Sequence, residues 1–307
     1  KNIERYNLYY APERWHPFLA SYMSGSDLNF GFNVETDLNN KEIVINRDNQ
    51  YIDKLKKSIS LAKNNSIYVI SFEGFHQLSE ESMKNLKAFF ENYTDELKII
   101  YYLRPPVSYA VSAISQCIRT GRKIGDHPPV QPYKRYINKF INVFGEKNLI
   151  LKKFERKLLF KNDIICDFYN LLGIDLEVSS GVVGENESLS APASMIGNAV
   201  IKKFESDMAD TGMSIYQFGR FLDPILQKIK GDKLKLTPVQ FDSVKKRSEE
   251  NNLYLNNFFD KDFHDFNEYS AYLKEEVEVR NNPIFKGVIN ELSERVFKEV
   301  QSNIKEV

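Results

Sequence analysis

Hydrophobic residues recur along this chain in two alternating rhythms. Unbroken apolar runs at residues 67–72, at 99–103 and again from Leu149 are short, rich in Ile, Val, Tyr and Leu, and bounded by polar or turn-forming residues. Such runs predict interior strands of a sheet covered on both faces. Between and after them, residues 49–62, 79–93, 107–118, 132–144 and 163–172 space their apolar side chains three and four apart, as amphipathic helices do. Glu80 and Glu81 add acidic charge at the start of one of them, where a helix favours it. Strand and helix therefore alternate, which predicts an α/β fold with a parallel sheet flanked by helices. From Ser190 the pattern turns helical, over 192–208, 214–228, 237–253 and 284–300. No repeat, low-complexity tract or linker interrupts the chain, and 307 residues can form one large α/β domain or two small ones. Residues 258–272, FFDKDFHDFNEYSAY, alternate aromatic with acidic side chains. They suit either a cap over the sheet or a partner surface, and the cap is favoured because aromatics mostly fill cores.

Composition narrows the function classes. Lys and Arg total 42 against 42 Asp and Glu, a balance that argues against a protein coating nucleic acid. A pocket for one anionic nucleotide needs only a few basic residues and stays open. Cys117 and Cys166 are the only cysteines, too few for a disulfide framework, and the four histidines lack ligand-like spacing. No metal is expected. No stretch approaches the length of a membrane span and no signal-peptide pattern opens the chain, so no membrane segment and a cytoplasmic protein are expected.

The clearest chemistry lies just past the 99–103 run. Arg104 follows that strand, Pro105 and Pro106 stop it, and Pro106 suits the first turn of the helix after it. Ser112 lies on the helix. Ligands of open α/β sheets bind beyond the carboxyl ends of strands, so a guanidinium there with a hydroxyl on the next helix suits a phosphate. An arginine closing the strand with a surface ion pair is the plainer alternative. Arg119, Arg122 and Lys123 stand near enough to extend a basic pocket, or serve only as cations favoured at a helix carboxyl end.

The pattern R-P-x-x-x-x-x-x-S after a hydrophobic strand is similar to the 3′-phosphate-binding segment of sulfotransferases that use 3′-phosphoadenosine 5′-phosphosulfate (PAPS). Further blocks follow in the family's order. Tyr133-x-x-Tyr136 opens a helix ending at Phe144-Gly145, Asn148 to Glu155 gives a strand, the 163–172 helix closes at Gly173-Ile174, and Asn186-Glu187-Ser188-Leu189-Ser190 comes next. Upstream, Ile67 to Glu73 resembles the strand that the family ends in a serine, a small or apolar residue and a glutamate. The likeness is to the bacterial-type branch, spans roughly residues 6–260 and is firmest over 67–190. It implies a P-loop-like parallel sheet flanked by helices with a helical carboxyl-terminal cap. Residues 1–307 would form one such domain, an α/β core to about residue 190 and a helical part beyond. It also implies PAPS as co-substrate, Arg104 and Ser112 as ligands of the 3′-phosphate with Arg119 and Arg122 beside them, no metal, and a glycan hydroxyl or amine as acceptor.

One family feature does not occur between residues 1 and 307, the lysine- and glycine-rich phosphosulfate loop after the first strand. Gly25, Gly31 and Gly74 have no adjoining Lys-Ser or Lys-Thr. By the resemblance, residues 1–12 look like the end of the first helix and the turn after it, so the loop and its strand are expected before Lys1. That strand is central in the family's sheet, and without it both neighbours keep unpaired edges.

Sulfuryl transfer asks for alignment, charge stabilisation and a base for the acceptor's proton. Glu73, at a strand end, is the first candidate for that base, as a partly desolvated carboxylate. His76, three residues on, and His16, within Arg14-Trp15-His16-Pro17, are the others. Two function classes stay open: a PAPS-dependent sulfotransferase, and a non-catalytic nucleotide-binding or assembly module of the same fold. A nucleotide-sugar glycosyltransferase fits less well, because the one D-x-D, Asp260-Lys261-Asp262, falls in the helical part.

Overall fold

The structure, a computed structural model, describes residues 7–12, 16–35, 40–174, 188–211, 214–259, 262–266 and 283–291. The chain divides into two compact units that interleave along the sequence, one of residues 1–103, 133–152 and 159–176, the other of 104–132, 153–158 and 177–307. It is a mixed α/β protein with small sheets flanked by helices. The strands are β1 (Leu8–Tyr10), β2 (Ile67–Val69), β3 (Ile99–Leu103) and β4 (Leu149–Lys153). The helices are α1 (Pro17–Met23), α2 (Gly31–Glu35), α3 (Lys41–Ser60), α4 (Glu80–Glu91), α5 (Pro106–Arg119), α6 (Tyr133–Phe144), α7 (Ile164–Leu171), α8 (Ala191–Thr211), α9 (Ile215–Leu226) and α10 (Pro238–Leu255). Residues 283–291 are also helical, and the rest of the helix expected over 284–300 lies outside the described residues.

In the first unit β1 runs parallel to β2, with Leu8 opposite Ile67 and Tyr10 opposite Val69. This corrects the expectation of a helix end and turn at residues 8–10, while residues 1–6 lie outside the described residues. Leu-Tyr-Tyr suits a half-buried pleated surface, and Leu8 packs with Val69 and Ile174. β3 and β4 form a second two-stranded sheet, and among the described residues β2 and β3 do not bond to each other. Alternation along the strands sends Tyr68, Ile99 and Tyr101 into one helical layer. There they join Leu19 of α1, Leu55 of α3, Phe90 of α4 and Phe140 of α6. Val69 and Tyr102 face the other layer, where α7 supplies Phe168 and Tyr169 to β1 and β2, and Asp167 to β3. Both sheets thus lie between the same two layers.

Asp167 is the polar centre of that second layer. It accepts the Tyr102 hydroxyl at 2.8 Å and the Phe160 N–H at 2.9 Å, and pairs with Lys152 of β4 at 3.3 Å. Burial pushes its carboxyl up, but these donors outweigh burial and hold it below the usual carboxylate value. Burial and the carboxylate together push the Tyr102 phenol well above its usual value.

Helix starts follow sequence closely. Asn40, Ser79 and Asp163 cap α3, α4 and α7 with their side chains, and reciprocal capping boxes, Ser214 with Gln217 and Thr237 with Gln240, open α9 and α10. The Asn40 cap starts α3 at Lys41, well before the expected residue 49.

The second unit is built around α5. Its Val107, Ala110, Ile114 and Ile118 pack with Ile196 and Val200 of α8, Phe218 and Leu222 of α9, Val244 of α10, and Phe285 and Val288. The carboxyl end of α5 meets α9 at a backbone crossing. Gly121 adopts φ 79°, where a Cβ would run into the Ile215 carbonyl, and a Cβ on Gly219 would stand 2.7 Å from the Arg119 carbonyl oxygen. Only glycine fits at either place. Gly121→Ala and Gly219→Ala should each cost about 1–3 kcal/mol, from left-handed strain in the first and overpacking in the second. Urea unfolding measures this as a lower midpoint at unchanged slope. A cost under about 0.5 kcal/mol for both, the range of neutral surface changes, would contradict the tight crossing.

Candidate functional site

In the first unit the chain leaves β2 through Ser71 and Phe72 and enters a 3₁₀ turn over Glu73–Gln77. Glu73 opens that turn and is exposed. The partial desolvation expected of it is therefore not found. His76, in the same turn, is buried, its ring stacked on Tyr101 at 6.1 Å and tilted against Tyr136 at 4.7 Å. Burial pushes the His76 imidazole below its usual value, a bond to the Glu73 backbone opposes this, and the Lys139 charge adds to the lowering. Lys139 donates to the carbonyls of His76, at 3.0 Å, and Leu78, so it fastens the turn to α6. Burial and the Arg135 charge lower its own pKa, with Glu80 pulling the other way. His16 precedes α1, is buried, and has Nδ1 2.6 Å from the Tyr51 hydroxyl. Trp15 lies outside the described residues.

The second unit holds the basic candidates. Arg104, the residue after β3, sets its guanidinium 4.8 Å over the ring of Phe154, the residue after β4. Two adjoining strand ends thus supply a cation and an aromatic face in contact. Ser112 is half-buried on α5, one turn beyond Ser108 and on the same face of the helix. Arg119 lies at the far end of α5, roughly 10 Å along the helix axis from Ser112. Its fork is engaged by Asp223, Nε to Oδ1 at 2.8 Å and Nη2 to Oδ2 at 3.1 Å. Arg122 is exposed, with Nε 3.2 Å from the Thr120 hydroxyl, and Lys123 pairs with Glu205 at 2.7 Å. Arg104 therefore lies just before the start of α5 and Ser112 at its middle, whereas Arg119 closes the helix and Arg122 follows it. Cys117 is buried between them on α5, its thiol pushed up by burial against the pull of Arg122.

Three participants escaped the sequence. Phe154 and Lys153 follow a run that reads as strand, and nothing in that run says the ring will meet Arg104. Asp265 accepts the N–H groups of Val107, at 2.9 Å, and Ser108, at 2.8 Å, and so caps α5 from a distant part of the chain. Its signal was the aromatic and acidic alternation of 258–272. Residues 262–266 of that stretch pack within the second unit, Phe263 fully buried, and the remainder from 267 lies outside the described residues.

Among the described residues no group of three or more His, Cys, Asp or Glu side chains could hold a metal ion, and no helix is long and apolar enough to cross a membrane. Comparison with known protein families, characterised proteins and solved structures finds no match to this chain. The functional case therefore stands on these residues and their chemistry.

The lowered His76 pKa has a stability consequence. The folded ring resists protonation while the unfolded ring takes a proton near 6.5, so acid favours unfolding. Stability should fall as pH drops below about 6.5, by at most ~1.4 kcal/mol per pH unit, and level off below the ring's own lowered value. His76→Gln should flatten that slope in urea titrations at pH 7 to 5. An equal slope in the variant would assign the acid sensitivity to other groups.

Proposed function

We propose that the protein is a PAPS-dependent sulfotransferase with a P-loop-like sheet, moving a sulfuryl group to a hydroxyl or amine of a glycan acceptor. The setting of Arg104 carries this proposal: a guanidinium at a strand end, against Phe154, at the foot of a helix that bears Ser112. A planar fork and a hydroxyl in that arrangement suit the 3′-phosphate of the nucleotide.

In the transfer, the base removes the acceptor's proton as the acceptor atom bonds to sulfur. The bond from sulfur to the bridging phosphate oxygen breaks, and adenosine 3′,5′-bisphosphate leaves. Of the three candidate bases Glu73 is exposed, while His16 and His76 are buried and hydrogen-bonded, which favours the carboxylate. A second reading, a nucleotide-binding or assembly module without turnover, is favoured by the packing of His16 and His76, which holds two of the three candidate bases in buried hydrogen bonds.

Arg104→Ala should weaken binding of adenosine 3′,5′-bisphosphate by about 1.5–3 kcal/mol, or ~10–150-fold in Kd. Calorimetry measures this directly, and unchanged affinity would remove Arg104 from the site. In sulfate transfer by the full-length chain, Glu73→Gln should keep nucleotide affinity yet lose about 10²–10⁴-fold in turnover. His16→Asn or His76→Gln should cost far less. A near-normal rate for Glu73→Gln beside a collapse at His16 would pass the role to the histidine, and no turnover in any form would favour the module.

A further inference from the structure

We propose that residues 262–266 are an autoinhibitory strap, whose Asp265 carboxylate holds the amino-terminal N–H groups of α5 against an incoming phosphate. The strap presupposes the nucleotide site at Arg104 and adds its regulation. Pro105, at the cap position of α5, brings no side-chain acceptor, and Pro106 has no N–H. The first donors of the helix are therefore Val107 and Ser108, three and four residues after Arg104. Both go to one carboxylate, Val107 to Oδ1 at 2.9 Å and Ser108 to Oδ2 at 2.8 Å, the two-point hold that an anion takes at a helix start. Ser112 stands one turn further along the same face.

The strap has its own anchors on either side of Asp265. Phe263 is fully buried and its N–H bonds Asn256 Oδ1 at 3.1 Å, while the Phe266 ring meets Phe241 edge-on at 5.9 Å. His264 stacks on Phe266 at 4.7 Å. Lys153 reaches the Asp262 carbonyl at 3.3 Å and lies 5.7 Å over the Phe263 ring. The next residue, Phe154, carries Arg104. One short segment thus touches both the strap and the arginine. A phosphate brings more charge and more acceptor oxygens to the same donors than a carboxylate does, and the two repel each other. Nucleotide binding must then displace Asp265, and the free protein binds only in the fraction of time the strap is open.

The test is calorimetry with adenosine 3′,5′-bisphosphate at one ionic strength on the full-length wild type, Asp265→Asn and Arg104→Ala. Hydrogen exchange across residues 262–266 gives a second readout. Asp265→Asn should bind about tenfold more tightly although it melts lower, having lost a charged cap. In the wild type the nucleotide should speed exchange in 262–266. Equal or weaker binding by Asp265→Asn, with binding lost in Arg104→Ala, overturns the strap, leaves the nucleotide site standing and makes Asp265 only a helix cap. Absence of binding in both wild type and Asp265→Asn overturns strap and site together.

Discussion

A buried carboxylate fixes how the second sheet faces. Asp167 draws Tyr102 of β3, Lys152 of β4 and the Phe160 amide to one point, so both strands and the turn before α7 share a single anchor. Such a group is stabilising only while every donor is in place, because a buried charge without partners costs several kcal/mol. With Tyr102 committed to Asp167, strand alternation sends Tyr101 the opposite way, onto His76 and Phe140. Arg104 is then the first residue free of the strand.

Helix α5 plays the corresponding part in the second unit. Its middle is apolar and central to the core, its carboxyl end is fixed by two glycines and by Arg119 on Asp223, and its amino end is closed by Asp265. The partly exposed Arg119 pair contributes little energy. Its effect is to commit that guanidinium to protein, so that the cations of α5 do not act as one patch. The amino end instead offers the N–H groups of Val107 and Ser108 a few residues after the strand-end arginine.

The same selection acts on the candidate bases. Two histidines and a glutamate look interchangeable in a sequence, yet burial removes His16 and His76 into packed aromatic surroundings and leaves Glu73 exposed. A ring held between Tyr101 and Tyr136 serves packing first, and its depressed pKa follows from that packing.

What the sequence determined by itself was the local content. Strand β3 and helices α4, α5, α6, α7, α9 and α10 stand within a few residues of where apolar spacing and capping residues put them, because those signals act over a few residues. Strand β1 and the short helices α1 and α2 were missed, since three to seven residues carry too little periodicity and their stability comes from distant partners such as Val69 and Leu55. Of the candidate site, the strand-end position of Arg104 and the place of Ser112 on α5 were legible. The contact with Phe154, the capture of Arg119 by Asp223 and the closure of α5 by Asp265 were not, for each joins residues far apart in the chain. No local rule encodes which distant side chain will satisfy a donor. The tertiary structure decides it, because a helix start or a guanidinium near a core must find an acceptor, and packing settles which one is in reach.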